Sequence, residues 1–237
     1  MMTNSRVKHW PSTVFVLASA MALTSCTNAV DGSPTAAPQS ATSSTPSPTA
    51  APPPGANLQP LVLPVEDLRR VMNDPAMVKI STWRRGSDGL SVVFTPPQCS
   101  VVAAPGMRAA LDGSGNTGVY YVTYTSTASA TVQVTQGVVG FADPAAAHAM
   151  VAAQQPVWQQ CANIDVGITI GDQSGTQHDN ALQAGGDSLS LSYAFGPMQC
   201  VRTLAAKNTV VVDNVVCSPD PAGPATAILN GILDKVH

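Results

Sequence analysis

Residues 200–217 read Cys-Val-Arg-Thr-Leu-Ala-Ala-Lys-Asn-Thr-Val-Val-Val-Asp-Asn-Val-Val-Cys. Val210 to Val216 is a β-branched strand run. A turn and this strand lie between two cysteines, a spacing that allows them to pair locally. Upstream, Leu189, Leu191, Tyr193 and Phe195 alternate with Ser188, Ser190 and Ser192. Ile164, Val166, Ile168 and Ile170 alternate with Asp165, Gly167 and Thr169. Alternation of period two suits antiparallel strands with one wet face. Val132, Val134 and Val138, Val119 to Tyr124, and Leu90 to Phe94 give three more strand candidates. Helices are predicted at three places. Around Leu63–Met72, Pro64 sits near the start and Val65, Leu68 and Met72 share a face. After Asp143-Pro144, an N-cap and a first-turn proline open an alanine-rich run that Pro156 should end or kink. From about Pro224, Ile228, Leu229, Ile232 and Val236 form an apolar stripe. The expected class is α+β: a single domain in which an antiparallel sheet carries helices packed on one face.

The whole chain has 237 residues, 11 Lys+Arg against 14 Asp+Glu, and only 11% charged residues. So few basic residues argue against nucleic-acid binding. No apolar run reaches the roughly 18 residues of a spanning helix, which argues against a multi-pass membrane protein. A hydrophobic fraction of 44% is too high for a wholly disordered chain.

The first 60 residues read as an address and a tether. Arg6 and Lys8 precede an apolar stretch from Val14 to Leu23, the length of a signal-peptide core. Leu23-Thr24-Ser25-Cys26 then resembles a bacterial lipobox. The expectation is a lipoprotein signal peptide over residues 1–25 and diacylglyceryl and fatty-acyl chains on Cys26. Cleavage there removes Arg6 and Lys8 and no acid, leaving nine basic and fourteen acidic side chains. The acyl chains, not a basic patch, would hold the protein to the outer face of the cell membrane. Residues 26–60 carry the lipidated Cys and a linker of Ala, Ser, Thr, Pro and Gly, with Asp31 its single charge. Its prolines and lack of apolar mass predict a semi-extended, disordered tether reaching at most roughly 100 Å. Residues 61–237 then form one domain.

With Cys26 lipidated, Cys99, Cys161, Cys200 and Cys217 remain. An even count in an exported chain reads as two disulfides, with three possible pairings. No pair has zinc-site spacing. The segment from Cys200 to Cys217, followed by a closing amphipathic helix, resembles the PknH-like extracellular sensor domain family. Trp158-Gln159-Gln160-Cys161 after the alanine-rich helix fits the same family, as do the lipobox and the Pro/Thr-rich linker. The resemblance is to stand-alone actinobacterial lipoproteins, because no kinase domain accompanies the segment. It implies an antiparallel sheet with flanking helices framing a cleft. It also implies the pairing Cys99 with Cys161 and Cys200 with Cys217. Trp158, beside Cys161, is expected to pack on the bridge rather than face a ligand, since aromatics are used heavily in cores.

The residues offer little catalytic chemistry. No G-x-S-x-G elbow, P-loop or G-x-G-x-x-G occurs, and Gly113-Ser114-Gly115 reads as a loop. His148 lies on a predicted helix face without H-E-x-x-H around it, and His237 is terminal. His178-Asp179 falls in a polar stretch, Gly171 to Asn180, that reads as a solvated loop. Glu66 is the single glutamate, so a carboxylate pair has few candidates. The expected function is therefore non-enzymatic: a lipid-anchored extracytoplasmic module that senses or binds an unidentified ligand, with no cofactor and no metal. A lipid carrier, a protein-interaction lipoprotein and an envelope hydrolase are the alternatives. Beyond the membrane itself, the partners expected are a small-molecule, glycan or lipid ligand, or another envelope protein. Tyr120 and Tyr124 share one strand face and Tyr121 takes the other. One of those faces lines a cleft, or all three serve plain sheet packing. A ligand cleft should measure roughly 300–1,000 Å³. Trp83-Arg84-Arg85 is the one local cluster of aromatic and positive charge. It suits an anionic or glycan ligand, or a surface loop whose Arg stems cover the ring.

Overall fold

In the computed structural model, which describes residues 57–88 and 92–237, the segment from Cys200 to Cys217 is a two-stranded hairpin at the middle of the sheet. The strands are β1 (Met77–Trp83), β2 (Val92–Thr95), β3 (Gly118–Ser126), β4 (Gln133–Gly140) and β5 (Asp165–Ile170), then β6 (Gln173–Asp179), β7 (Gln183–Gly185), β8 (Ser188–Phe195), β9 (Met198–Lys207) and β10 (Val210–Cys217). The helices are α1 (Val65–Val71), α2 (Ser100–Ala103), α3 (Arg108–Leu111), α4 (Pro144–Cys161) and α5 (Ala222–Leu233). The sheet order is β1-β3-β4-β10-β9-β8-β6-β5-β2, with β7 paired to β8 and every pairing antiparallel. Asn208 closes the β9–β10 turn at φ 49°, a conformation that its short polar side chain tolerates.

The helices cover both faces of the sheet, not one as the sequence pattern suggested. Every residue of β10 is buried. Its odd positions Val211, Val215 and Cys217 pack with Trp158, Met150 and Val151 of α4. Its even positions Val210, Val212 and Val216 pack with Leu68 of α1 and Ile228 and Ile232 of α5. Serine alternation describes β8, where Leu189, Leu191 and Tyr193 turn toward α4. The central strands instead lie between two apolar layers, and a strand covered on both sides reads as a near-continuous apolar run.

Other differences have local causes. Helix α4 passes through Pro156 and continues to Cys161. The carbonyl that proline leaves unpaired belongs to Ala152, and both residues are exposed, so water satisfies it. Beyond it, buried Trp158 and Cys161 hold the last turns. Residues 173–179, read as loop, form β6, which pairs with β5 in a hairpin beyond the helix-covered centre; Gln173, Ser174, Thr176 and His178 face water, while Gln177 and Asp179 are buried. The predicted strand from Leu90 to Phe94 has its first residues outside the described part and is seen as β2. The packed domain also starts a few residues before 61. Leu58 is buried against the α1/α5 layer and Gln59–Leu61 make a 3₁₀ turn. Residues 1–25, expected to be a signal peptide, Cys26 and the expected linker up to residue 56 lie outside the described residues.

Two disulfides join Cys99 to Cys161 and Cys200 to Cys217, the pairing that the family resemblance implied. Cys200 and Cys217 face each other across β9 and β10. Cys99 ties the turn before α2 to the last residue of α4 across 62 residues. By loop closure alone the longer bridge contributes about 4 kcal/mol and the shorter about 3. The double variant Cys99→Ser/Cys161→Ser should therefore lose more stability in urea than Cys200→Ser/Cys217→Ser. Equal midpoints would show that loop closure does not dominate.

Candidate functional site

Strand β3 splits its tyrosines as period two requires. Tyr121 enters the α4 layer; Tyr120 and Tyr124 enter the α1/α5 layer. On that second side an open groove of about 640 Å³ runs along the sheet. Tyr120 and Tyr124 give it a floor, with Lys79 of β1, which stands opposite Tyr124 in the register. Its wall is the stretch that enters the domain, including Gln59, Val62 and Leu63, and then Glu66 in the first turn of α1.

That wall is fastened. The buried Gln136 amide accepts from Leu63 N at 2.8 Å and donates to Leu63 O at 3.0 Å, replacing the missing neighbour strand. Lys235, beyond α5, donates to Val62 O at 2.9 Å. The Arg84 guanidinium lies over the Tyr120 ring, 4.9 Å from its centroid, and reaches Gln59 Oε1 at 3.2 Å. Lys79 has no ion pair or side-chain hydrogen bond among the described residues. Burial pushes the Tyr124 hydroxyl up from its usual range, and Tyr120 and Glu66 add to the shift. Glu66, Lys79 and Lys235 carry no site signal in the sequence, since only the topology gathers positions so far apart. The groove offers one free ammonium, two phenol edges and one carboxylate, a set that fits a small polar ligand with an anionic group.

Among the described residues the histidines form no nucleophile–base pair. His178 Nδ1 lies 2.7 Å from Asp165 Oδ1, and His148 Nδ1 lies 2.7 Å from Asp187 Oδ1. Among the described residues neither imidazole hydrogen-bonds a hydroxyl or a thiol, and no group of three or more His, Cys, Asp or Glu is placed to hold a metal. Asp179 differs from its neighbour. It is fully buried, its Oδ1 accepts from Gln177 Nε2 at 2.6 Å and its Oδ2 has no partner. Burial raises its carboxyl to about 6, against the opposing pull of Gln177 and His178.

Under α4 lies a buried charge pair, Arg202 with Asp213. Asp213 Oδ2 also accepts from Tyr121 Oη at 2.8 Å and from Gly106 N at 2.9 Å. Arg202 reaches Val101 O at 3.4 Å and lies over Trp158, 5.6 Å from the ring centroid. Trp158 is thus packed in the core beside the Cys99–Cys161 bridge. Burial raises the Tyr121 hydroxyl well above its usual range, with Asp213 adding to it. Tyr193, also buried, is pushed up to about 12.

The comparisons with known proteins agree with this architecture. The model of the PknH-like extracellular domain matches residues 53–235. The chain belongs to that family. Its fold is also that of the crystal structure of the extracellular domain of PknH from Mycobacterium tuberculosis, with a TM-score of 0.70 at 21% identity over 75% of this chain and 93% of the other. No curated protein matches the chain. The PknH-like domain here is an extracytoplasmic, sensor-type domain, and none of its described helices is long and apolar enough to cross a membrane.

Two measurements probe the buried groups. Arg202→Met leaves the Asp213 charge unpaired in the core and should cost about 3–5 kcal/mol. Arg202→Met/Asp213→Asn should be more stable than Arg202→Met alone, as read by denaturant midpoint. Asp179 behaves in the opposite way to an ion-paired acid. Its folded pKa lies above the unfolded value near 3.8, so the native state binds the extra proton, and stability falls as pH rises through the window from about 4 to 6. Asp179→Asn should flatten that fall and stabilise the domain at pH 7 by on the order of 1 kcal/mol, allowing for solvent screening. An unchanged stability–pH curve would show that the site relaxes on ionisation.

Proposed function

We propose that this chain is a lipid-anchored, non-enzymatic binding module whose ligand occupies the Tyr120/Tyr124 groove. The observation that carries this reading is the groove itself: about 640 Å³, walled by a segment that Gln136 and Lys235 fasten, with the Lys79 ammonium unpaired at its floor. Glu66, Lys79 and Lys235 line it, which favours a polar ligand with an anionic group over an acyl chain. A lipid carrier needs a deep, almost wholly apolar cavity. The sensor reading draws on the family, and the anchor reading on Leu23-Thr24-Ser25-Cys26 in a chain whose domain is of an extracellular type.

Native mass spectrometry of the mature protein from its own envelope tests the groove. The expected result is an added mass that leaves on denaturation and is lost in Lys79→Ala, with thermal stability otherwise unchanged. An acyl-lipid mass that survives Lys79→Ala would overturn the polar-ligand reading. Cys26→Ala tests the anchor separately: the chain should lose its acyl mass and move from the membrane to the soluble envelope fraction.

A further inference from the structure

A second groove lies at the same edge of the sheet but on its other face. Its volume is about 500 Å³, and Ser81, Thr82, Trp83, Arg85 and Asp88 line it. The backbone explains why one edge strand serves two grooves. β1 pairs with β3 in register up to Lys79, then skips Ile80, so that Ser81 stands opposite Thr123 and Trp83 opposite Tyr121. This bulge inverts the alternation. Met77 and Lys79 face the α1 layer, whereas Trp83 faces the α4 layer and stacks on Tyr121, with ring centroids 5.4 Å apart and planes 5° from parallel.

The neighbouring arginines then part company. Arg84 crosses to Tyr120 and Gln59 in the first groove. It does not cover Trp83, as a surface-loop reading of the cluster expected. Arg85 remains on the Trp83 side, exposed, and its guanidinium makes no ion pair or hydrogen bond among the described residues. Asp88 pairs with Arg108 at 3.1 Å, and Arg108 also pairs with Asp112 at 3.0 Å, so among the described residues Arg85 is the cation of this groove left without a partner.

The groove is also held in shape. Ser87 N donates to Gly106 O at 2.7 Å, and Arg108 N donates to Ser87 O at 2.8 Å. Tyr121 is pinned by its hydrogen bond to buried Asp213 and packs against Gly106 and Gly137, where no larger residue fits. Trp83 therefore rests one face on an immobile ring and does not reorient when a ligand arrives. A fixed indole platform, with the Ser81 hydroxyl on the same strand face and one free guanidinium beside it, has a specific chemical counterpart. The C–H face of a pyranose stacks on an aromatic ring, a sugar hydroxyl pairs with Ser81, and a carboxylate or phosphate substituent pairs with Arg85.

We propose that this second groove binds a saccharide carrying an acidic group, with Trp83 as the platform and Arg85 as the anion contact. The inference is independent of the Tyr120/Tyr124 groove, which lies across the sheet.

Tryptophan fluorescence of the mature protein tests it, because Trp10 departs with the signal segment and Trp158 is fully buried. The probes are gluco-, galacto-, manno- and arabino-oligosaccharides, each neutral and with a terminal uronate or sugar phosphate. The expected result is saturable quenching that disappears in Trp83→Ala, persists in Trp158→Phe and is kept in part by Trp83→Tyr. Acidic probes should bind about two- to fivefold tighter than neutral ones, as for an exposed ion pair, and Arg85→Gln should abolish that preference alone. Quenching by no probe at millimolar concentration, or quenching that survives Trp83→Ala, overturns the proposal. Equal affinity for neutral and acidic probes overturns the role of Arg85. Inorganic phosphate competing as well as the acidic sugars overturns the saccharide assignment in favour of a simple anion site. Lys79→Ala should leave all of these titrations unchanged, which separates this groove from the first.

Discussion

Asp213 is the point on which three parts of the structure converge. Its carboxylate pairs with Arg202 on the adjacent strand, accepts the Tyr121 hydroxyl from β3 and accepts the Gly106 amide from the segment before α3. Such a charge survives burial only when its oxygens are satisfied and an opposite charge stands beside it. Arg202 supplies the charge, and its guanidinium lies over Trp158 of α4. One ion pair thus fixes the register of the central hairpin, the seat of α4 and the position of Tyr121. A hydrophobic replacement would bury more easily, but it would not specify which strand, helix and loop must meet.

The fixed Tyr121 carries that constraint to the edge of the sheet. Gly137 lies so close to the Tyr121 ring that an added Cβ would also meet Asp213 O at 2.6 Å. With the tyrosine immobile, Trp83 stacks on a defined surface and β1 ends in a defined place. The bulge at Ile80 does the remaining work. It lets a single edge strand give Lys79 to one groove and Trp83 to the other. Bulges also blunt an exposed edge against pairing with other chains, so the device that builds two grooves protects the sheet as well.

What the sequence disclosed follows from how strongly each element depends on period. Strands β3, β5, β8 and β10 and helices α1, α4 and α5 announce themselves through apolar spacing and caps. Strand β1 does not, because most of its side chains face water and the bulge breaks its alternation. β6 does not either, because Gln173, Ser174, Thr176 and His178 read as loop when no helix covers the hairpin. A wet face holds for the serine-alternating β8 but not for β10, whose continuous Val210-Val211-Val212 run signals burial on both faces. Tyr120 and Tyr124 were legible as one face of a strand. Glu66, Lys79 and Lys235 were not, since positions so far apart meet only through the strand order and the fastening of the wall by Gln136.

The fastening of that wall bears on what a bound ligand would do. The chain enters the domain at Asn57 and Leu58, and Asn57, Gln59 and Pro60 line the first groove. Residues 57–60 therefore lie at the mouth of that groove, beside its wall. Three contacts hold the wall: the Gln136 amide on Leu63, Lys235 on Val62 O and Arg84 on Gln59. On the proposed reading, a ligand anion drawn to Lys79 would sit among them and change the balance of charge that Arg84 and Lys235 experience. Its binding energy would then be shared with the segment at residues 57–63. A ligand in the second groove instead rests on Trp83 and Tyr121, and so on the Asp213 centre of the fold. The two grooves thus rest on different parts of the molecule, one on the segment at residues 57–63 and one on the core, although a single strand separates them.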